Sequence, residues 1–435
     1  MRLLLILLTM FLTLSSVFAW DPGPAPGVNI KNALLYMLTL SLVARFALLR
    51  RFQLQLPAIT IAFIVWISYC IVTYVAIVLY IHYPHYNYLR HGFDLKNRMV
   101  DQMLFFLVFF YGAQSREDAI ALMKVVLAAW VISHASAILD AAGIVHFGDI
   151  ERRSDGRVQG TLGESNQYGA FAALTLPAVA ALAYASRGFM RVFWGGATLL
   201  TAATLLMTVS RGAFVGTAVA CIAGVWMFRR YVSGAALLKV GASLFAMFLV
   251  VGVVVSIWYG DLLHERLVGG SAGDMTTASS GRTEIWATAL AAMAQKPWTF
   301  LTGFGWNSYW SMPFRYSPHN YYINQWFNLG LVGLVCSIAL LAIPIRVAKA
   351  AAFKADPQAR ALLIGFVIST LALAVSTFFV DLYDPWLYFW AYAGVVMRLA
   401  MLQQDPQPVA QAAEESPQSP VARPDPFGWV AVPRS

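Results

Sequence analysis

Gln167–Ala185 reads QYGAFAALTLPAVAALAYA, Val192–Val209 reads VFWGGATLLTAATLLMTV, and Ala213–Phe228 reads AFVGTAVACIAGVWMF. None of the three carries a charged side chain. Ser186–Arg191 joins the first two, and Arg229-Arg230 follows the third. Apolar runs this long, without strand-like alternation, read as helices whose solvent is lipid, because a span needs about 20 such residues. Working outward, the same criterion marks Leu3–Trp20, Asn29–Leu49, Leu54–Ile81, Met99–Ala113, Ala119–Val145, Leu238–Trp258, Asn320–Ile343, Ala361–Val380 and Pro385–Leu402. The expectation is an all-α, polytopic membrane protein of twelve spans over residues 1–403, followed by a disordered cytoplasmic tail, 404–435.

Composition agrees. Over 435 residues, 59% are hydrophobic and 12% charged, and mean hydropathy is +0.65. A soluble domain carries about 25% charged residues, so this chain lacks the surface to live in water. The net charge of +9 does not indicate nucleic acid, since the basic residues sit between apolar runs. There the excess of Lys and Arg on cytoplasmic loops accounts for them. Cys70, Cys221 and Cys336 lie in apolar segments, away from any disulfide framework or zinc pattern.

The first segment has two readings. Arg2, an apolar core and Ser16–Ala19 have the form of a cleavable signal, whereas a retained helix gives an even span count. With the N-terminus inside, the basic pairs Arg50-Arg51 and Arg229-Arg230 and the Arg187–Arg191 link fall in the cytoplasm. His82–Arg98, His146–Asn166 and the long loop Tyr259–Pro318 then face the periplasm. In that loop Gly269–Gly281 reads as flexible and Thr283–Gln295 as a helix. Trp286, Leu290 and Met293 would form one apolar face, resting on the bundle or the membrane surface.

The apolar runs are largely free of ionisable groups, which argues against a transporter with charges at mid-membrane. Chemistry is expected at the outer helix ends. His319, in Ser317–Tyr322, suits a general base, being the side chain whose ordinary pKa lies nearest neutrality. The alternative is an interfacial histidine, with Asn320 capping the next helix. Arg211, in Ser210-Arg211-Gly212, is a candidate phosphate clamp, because a guanidinium offers paired donors to anionic oxygens. It could also snorkel to lipid headgroups. Arg282 opens the loop helix, where an anion is favoured, or is a solvated loop charge. Glu164 could contact a sugar hydroxyl, with Ser165 or Asn166 capping the helix behind it. His82, His85 and His91 lack the spacing of a metal site, and Asp384-Pro385 reads as a helix start.

Together these pieces resemble the O-antigen ligase family and the related O-antigen polymerases. His319-Asn320, nine residues, then Gly330-Leu331-Val332-Gly333 looks like that family's His-Asn and Gly-x-x-Gly pattern. Ser210-Arg211-Gly212, Gly163–Pro177, and Arg282 with Glu284, Trp286, Pro297 and Gly303-Phe304-Gly305 resemble its other motifs. The resemblance implies a metal-independent, cofactor-free, inverting glycosyltransferase of the bacterial inner membrane with its site facing the periplasm. His319, Arg211 and Arg282 would be catalytic, and Glu164, Asn166, Asn320 and Tyr321 would bind substrate. The implied donor is an undecaprenyl-diphosphate-linked glycan, and the acceptor the lipid A core. A second lipid-linked glycan or a protein acceptor remains open, as does a non-enzymatic glycan flippase, which would need a polar route through the bundle.

Overall fold

The computed structural model describes residues 2–18, 29–48, 57–145, 156–230, 281–314, 318–383 and 385–403, with isolated positions between 246 and 264. Among them every regular element is helical. The helices are α1 Arg2–Val17, α2 Ile30–Leu48, α3 Ala58–Ala76 (continued by a π-turn, Ile77–Ile81), α4 Tyr88–Leu95, α5 Asp101–Gly112, α6 Arg116–Ala141, α7 Ser165–Ala185, α8 Phe189–Met207, α9 Arg211–Phe228, α10 Arg282–Ala294, α11 Thr299–Thr302, α12 Tyr321–Ala352, α13 Pro357–Ser376 and α14 Pro385–Leu402. Eight are long and apolar enough to cross a membrane: α2, α3, α6, α7, α8, α9, α12 and α13. The expected spans Leu3–Trp20, Met99–Ala113 and Pro385–Leu402 also appear as helices, two of them short. Most of Leu238–Trp258, nearly all of Gly269–Gly281, Asp384 and the tail 404–435 lie outside the described residues.

α7 is the hub of the bundle. Ala170, Ala172, Ala173 and Ala178 are fully buried, and such small side chains let neighbouring helices approach closely without a polar cost. α7 packs against α8, α9 and α13. A Cβ on Gly365 of α13 would run into Ala181 of α7. α14 lies on α5, with Gly394 against the Phe106 carbonyl, and α1 packs on α6 and α2. By contrast, the faces of α3 and α9 that meet no other helix carry exposed Ile61, Val72, Ile222 and Trp226, as a lipid-facing surface requires.

The long loop rests on the bundle rather than apart from it. Met293 and Ala289 of α10 are buried with Phe304, Tyr309 and Phe327 in one apolar cluster. The loop helix starts at Arg282, one residue earlier than its apolar pattern suggests.

α12 is not one continuous helix. Gly330 has φ 61° and ψ −156°, which interrupts the ladder after Leu329. The carbonyls of Phe327 and Asn328 instead accept from the amides of Phe304 (3.0 Å) and Gly305 (2.7 Å). Gly303, with φ 72°, meets Gly330 backbone to backbone, and a Cβ on either would collide with the other's segment. Both glycine motifs of the sequence are thus one joint, where the outer loop docks into a broken helix. Backbone groups released at such a break need protein partners when water is scarce.

Candidate functional site

Four helices begin at the same end of the bundle: α7 at Ser165, α9 at Arg211, α10 at Arg282 and α12 at Tyr321. Their starts divide into two kinds. α7 and α12 are capped by side chains. Glu164 accepts from the amides of Asn166 (3.1 Å) and Gln167 (2.8 Å). Asn320 accepts from those of Tyr322 (3.0 Å) and Ile323 (3.1 Å). α9 and α10 have no side-chain cap; Ser210 and Gly281 occupy their cap positions, and each helix opens with an arginine. The expected cap at Ser165 or Asn166 is therefore corrected to Glu164. Its longer side chain reaches both amides, one with each oxygen.

The starts of α7 and α9 are tied together by a residue the sequence pattern did not reveal. Arg157 is buried, 8% exposed. It donates from Nε to the Thr208 carbonyl (2.9 Å) and from its terminal nitrogen to Asn166 Oδ1 (2.9 Å). Asn166 donates in turn to Glu164 (2.7 Å), and its oxygen also accepts from Ser210 (3.3 Å). Thr208 ends α8, so Arg157 joins α8, α7 and the Ser210-Arg211 turn. Gly212 follows because a Cβ there would run into Phe379.

Arg282 belongs to the same constellation. Burial lowers its pKa from the usual guanidinium value; the Glu164 carboxylate opposes that, the Arg211 cation reinforces it, and Asp381 opposes it. One turn along α10, on the face of Arg282, Trp286 donates to the Pro318 carbonyl (2.7 Å), next to His319. His319 itself adopts φ 46°, an unusual value for a non-glycine residue. It forms the corner between the loop and the Asn320 cap. Tyr321 is buried; its amide donates to Thr377 (2.9 Å) and its ring packs on Trp386. The Thr377–Tyr383 connection thereby touches α12, α9 through Phe379, and α7 through Gln167, which accepts from the Tyr383 amide (3.0 Å).

The histidines weighed for a metal have other surroundings. His91 Nδ1 lies 2.6 Å from the Asn307 amide nitrogen, and His82 lies 3.4 Å from the Tyr88 hydroxyl. Among the described residues no group of three His, Cys, Asp or Glu is placed to hold a metal ion.

The stretch of chain that holds Arg211, Arg282 and His319 is matched by a known family. Residues 196–338 match the O-antigen ligase family model. The match starts in α8, takes in Arg211 and Arg282, and ends in α12 beyond Gly333. No curated protein matches the chain significantly. Over that third of the chain the protein is similar to the O-antigen ligase family, a likeness that points to glycosyltransferase-like chemistry on a lipid-linked glycan, and its long apolar helices are those of a membrane protein.

Proposed function

We propose that the protein transfers a glycan from an undecaprenyl-diphosphate-linked donor to a sugar hydroxyl of the lipid A core, on the periplasmic face of the inner membrane. One observation carries the reading. Arg211 and Arg282 are each the first residue of a helix without a side-chain cap, and they are close enough to feel each other's charge. A helix N-terminus already bears partial positive charge. A cation there, with a second beside it, adds to that positive field and favours an anion with several oxygens. A diphosphate supplies that anion.

In this reading the guanidiniums and the first-turn amides of α9 and α10 receive the diphosphate oxygens as the bond to the anomeric carbon breaks and their charge grows. His319 takes the proton of the acceptor hydroxyl, whose oxygen attacks the anomeric carbon from the opposite side and inverts it. Glu164 and Asn166, held by Arg157 and Ser210, keep the α7 and α9 starts in register; Asn320 fixes the corner that presents His319, and Tyr321 packs behind it. The activated donor provides the driving force, so neither nucleotide nor metal is assigned a role. Twelve spans complete the topology, with Leu238–Trp258 as one of them and the tail 404–435 in the cytoplasm.

The test uses purified full-length protein with lipid-linked glycan donor. Transfer to lipid A core by the wild type, abolished in His319→Ala, is the expected result. Transfer only to a second lipid-linked glycan would make it a polymerase, and no transfer to any glycan would overturn the reading.

A further inference from the structure

Beside the arginine pair lies a cavity of about 40 Å³, enough for two or three water-sized groups. Its contents differ from the anion site in kind. Trp66 of α3, Trp306 of the loop and Trp386 of α14 supply aromatic walls, and Asn324 and Gln325 of α12 supply amides. Arg98 and Asp381 also line it, so its fixed charges balance. Both ends of the proposed chemistry adjoin it: Tyr321, two residues after His319, is part of the wall, and Asp381 is the carboxylate that Arg282 senses.

Two polar groups at this cavity have no partner among the described residues. Gln325, 8% exposed, has its Oε1 buried and unbonded, and Trp66, 2% exposed, its Nε1. A buried amide oxygen or indole N–H without a partner costs roughly 1–3 kcal/mol. Groups of this kind gain from a ligand that pairs with them. The Asn328 amide donates to Asn324 Oδ1 (2.7 Å) and its own oxygen accepts from Ser308 and the Tyr309 amide. This fixes Asn324 with its nitrogen left to donate. The wall is rigid as well: Trp306 donates to the His91 carbonyl (2.9 Å), and the Trp306 carbonyl accepts from Tyr86 (2.7 Å).

Donors and acceptors set among flat aromatic faces, without net charge, match one substrate class. A sugar ring presents C–H faces to aromatics and hydroxyls, each both donor and acceptor, at its edge. We propose that this cavity, between Gln325, Asn324 and the Trp66, Trp306 and Trp386 rings, receives the hydroxyl-bearing edge of a neutral sugar of one of the two glycan substrates. It rests on the transferase reading for its place in the reaction, but binding itself can be read without turnover.

Two variants remove one orphan group each: Gln325→Met, which is close to isosteric, and Trp66→Phe, which also shortens the ring system. Saturation-transfer NMR on the detergent-solubilised full chain, with glucose and N-acetylglucosamine as probes, reads binding directly. In transfer assays, donor and acceptor are varied in turn. The expected result is a sugar signal in the wild type that is lost in Gln325→Met and weakened in Trp66→Phe, while both variants elute like the wild type and Gln325→Met also melts like it. KM should rise about tenfold, the loss of one good hydrogen bond, for one substrate only, with kcat within about threefold. A rise for the acceptor assigns the cavity to the acceptor sugar, and a rise for the donor to the donor's. Sugar signal without any transfer would leave the cavity assigned and remove the transferase reading. Transfer with both KM values unchanged in both variants, or no sugar signal in the wild type, would overturn the cavity assignment while leaving the arginine site untouched.

Discussion

The two ends of this bundle give several of their arginines different partners. At the end holding Arg116 and Arg398, guanidiniums meet helix C-termini or carboxylates. Arg360 donates to the carbonyls of Ala352 (3.1 Å) and Ala355 (2.8 Å), Arg398 to Ala113 (3.0 Å) and Arg191 to Ser186 (3.1 Å). Arg116 pairs with Asp356 at 2.8 Å and Arg2 with Asp118 at 3.3 Å. Each places positive charge where helix carbonyls or a carboxylate welcome it. At the other end Arg211 and Arg282 begin helices, on the dipole's positive pole. One end is arranged for stability and orientation. Arg2 and Arg116 also open helices, but each meets a carboxylate of a neighbouring helix; the other end sets two helix-opening arginines beside each other, close to Glu164 and Asp381, an arrangement that suits an anion with several oxygens.

The largest expected effect tests the corner between these helices. His319→Ala should lower turnover by about 10²- to 10⁴-fold, the scale of losing a positioned general base. Donor binding should persist, because the proposed anion contacts are elsewhere. Wild-type transfer should also fall on acidification, as a protonated imidazole cannot accept a proton. His319→Gln, which cannot titrate, should lose that pH dependence along with its rate. Near-normal turnover in His319→Gln would reduce His319 to an orienting role.

Arg211→Ala should cost transfer about 10²-fold or more. Arg211→Lys keeps charge but loses the paired donors, so it should remain impaired. The comparison sharpens this: removing a cation from a helix N-terminus should cost less stability than removing one that meets helix C-terminal carbonyls. The same change at Arg360, whose guanidinium reaches the carbonyls at the α12 C-terminus, should lower melting more. Equal destabilisation by both would dissolve the contrast between the two ends.

Next in size is the joint of α12. Gly330→Ala would place a Cβ against the Leu301 carbonyl, at φ 61°. Left-handed backbone and overpacking together should cost about 2–4 kcal/mol, read as lower melting and loss of the docked loop to protease. Gly333→Ala should cost less, because Gly333 keeps helical backbone and adds no left-handed strain, although its Cβ would still press on the Leu329 Cβ and the Gln325 carbonyl.

These particulars also mark what the sequence could say. Spans were legible because lipid imposes one length and one polarity on every helix that crosses it. Arg211, Arg282 and His319 stand out in the sequence as candidates because charge is rare beside such helices. The break at Gly330 was not: Asn320–Ile343 reads as an unbroken apolar helix, and only the approach of Gly303 shows why a glycine stands there. Glu164 was read as a sugar contact because Ser165 and Asn166 are commoner caps. Arg157 carries no spacing signal at all; its partners, Thr208 and Asn166, meet only once α8 and α7 are folded. Fully buried His134, in the middle of α6 and stacked on Phe171, stands against the general expectation of ion-free spans.

The smallest prediction belongs to the other end. Asp356 caps α13, accepting from Gln358 (2.9 Å) and Ala359 (3.2 Å), while its second oxygen meets Arg116 (2.8 Å). Burial opposes its ionisation, but the Ala359 amide and the Arg116 charge outweigh that and hold the carboxyl below its ordinary value. A depressed carboxyl contributes stability above the unfolded-state pKa, about 3.9. That contribution declines below this value and is lost as pH falls through the folded-state pKa. Asp356→Ala should therefore cost about 1 kcal/mol at neutral pH, the scale of a lost cap. The gap between wild type and variant should close below about pH 3.9. Transfer by the variant, measured where both proteins are folded, should match the wild type, because this carboxylate serves the arginine of the stabilising end. A loss of transfer without a loss of melting would place Asp356 in communication with the site, and the division of labour between the two ends would fail.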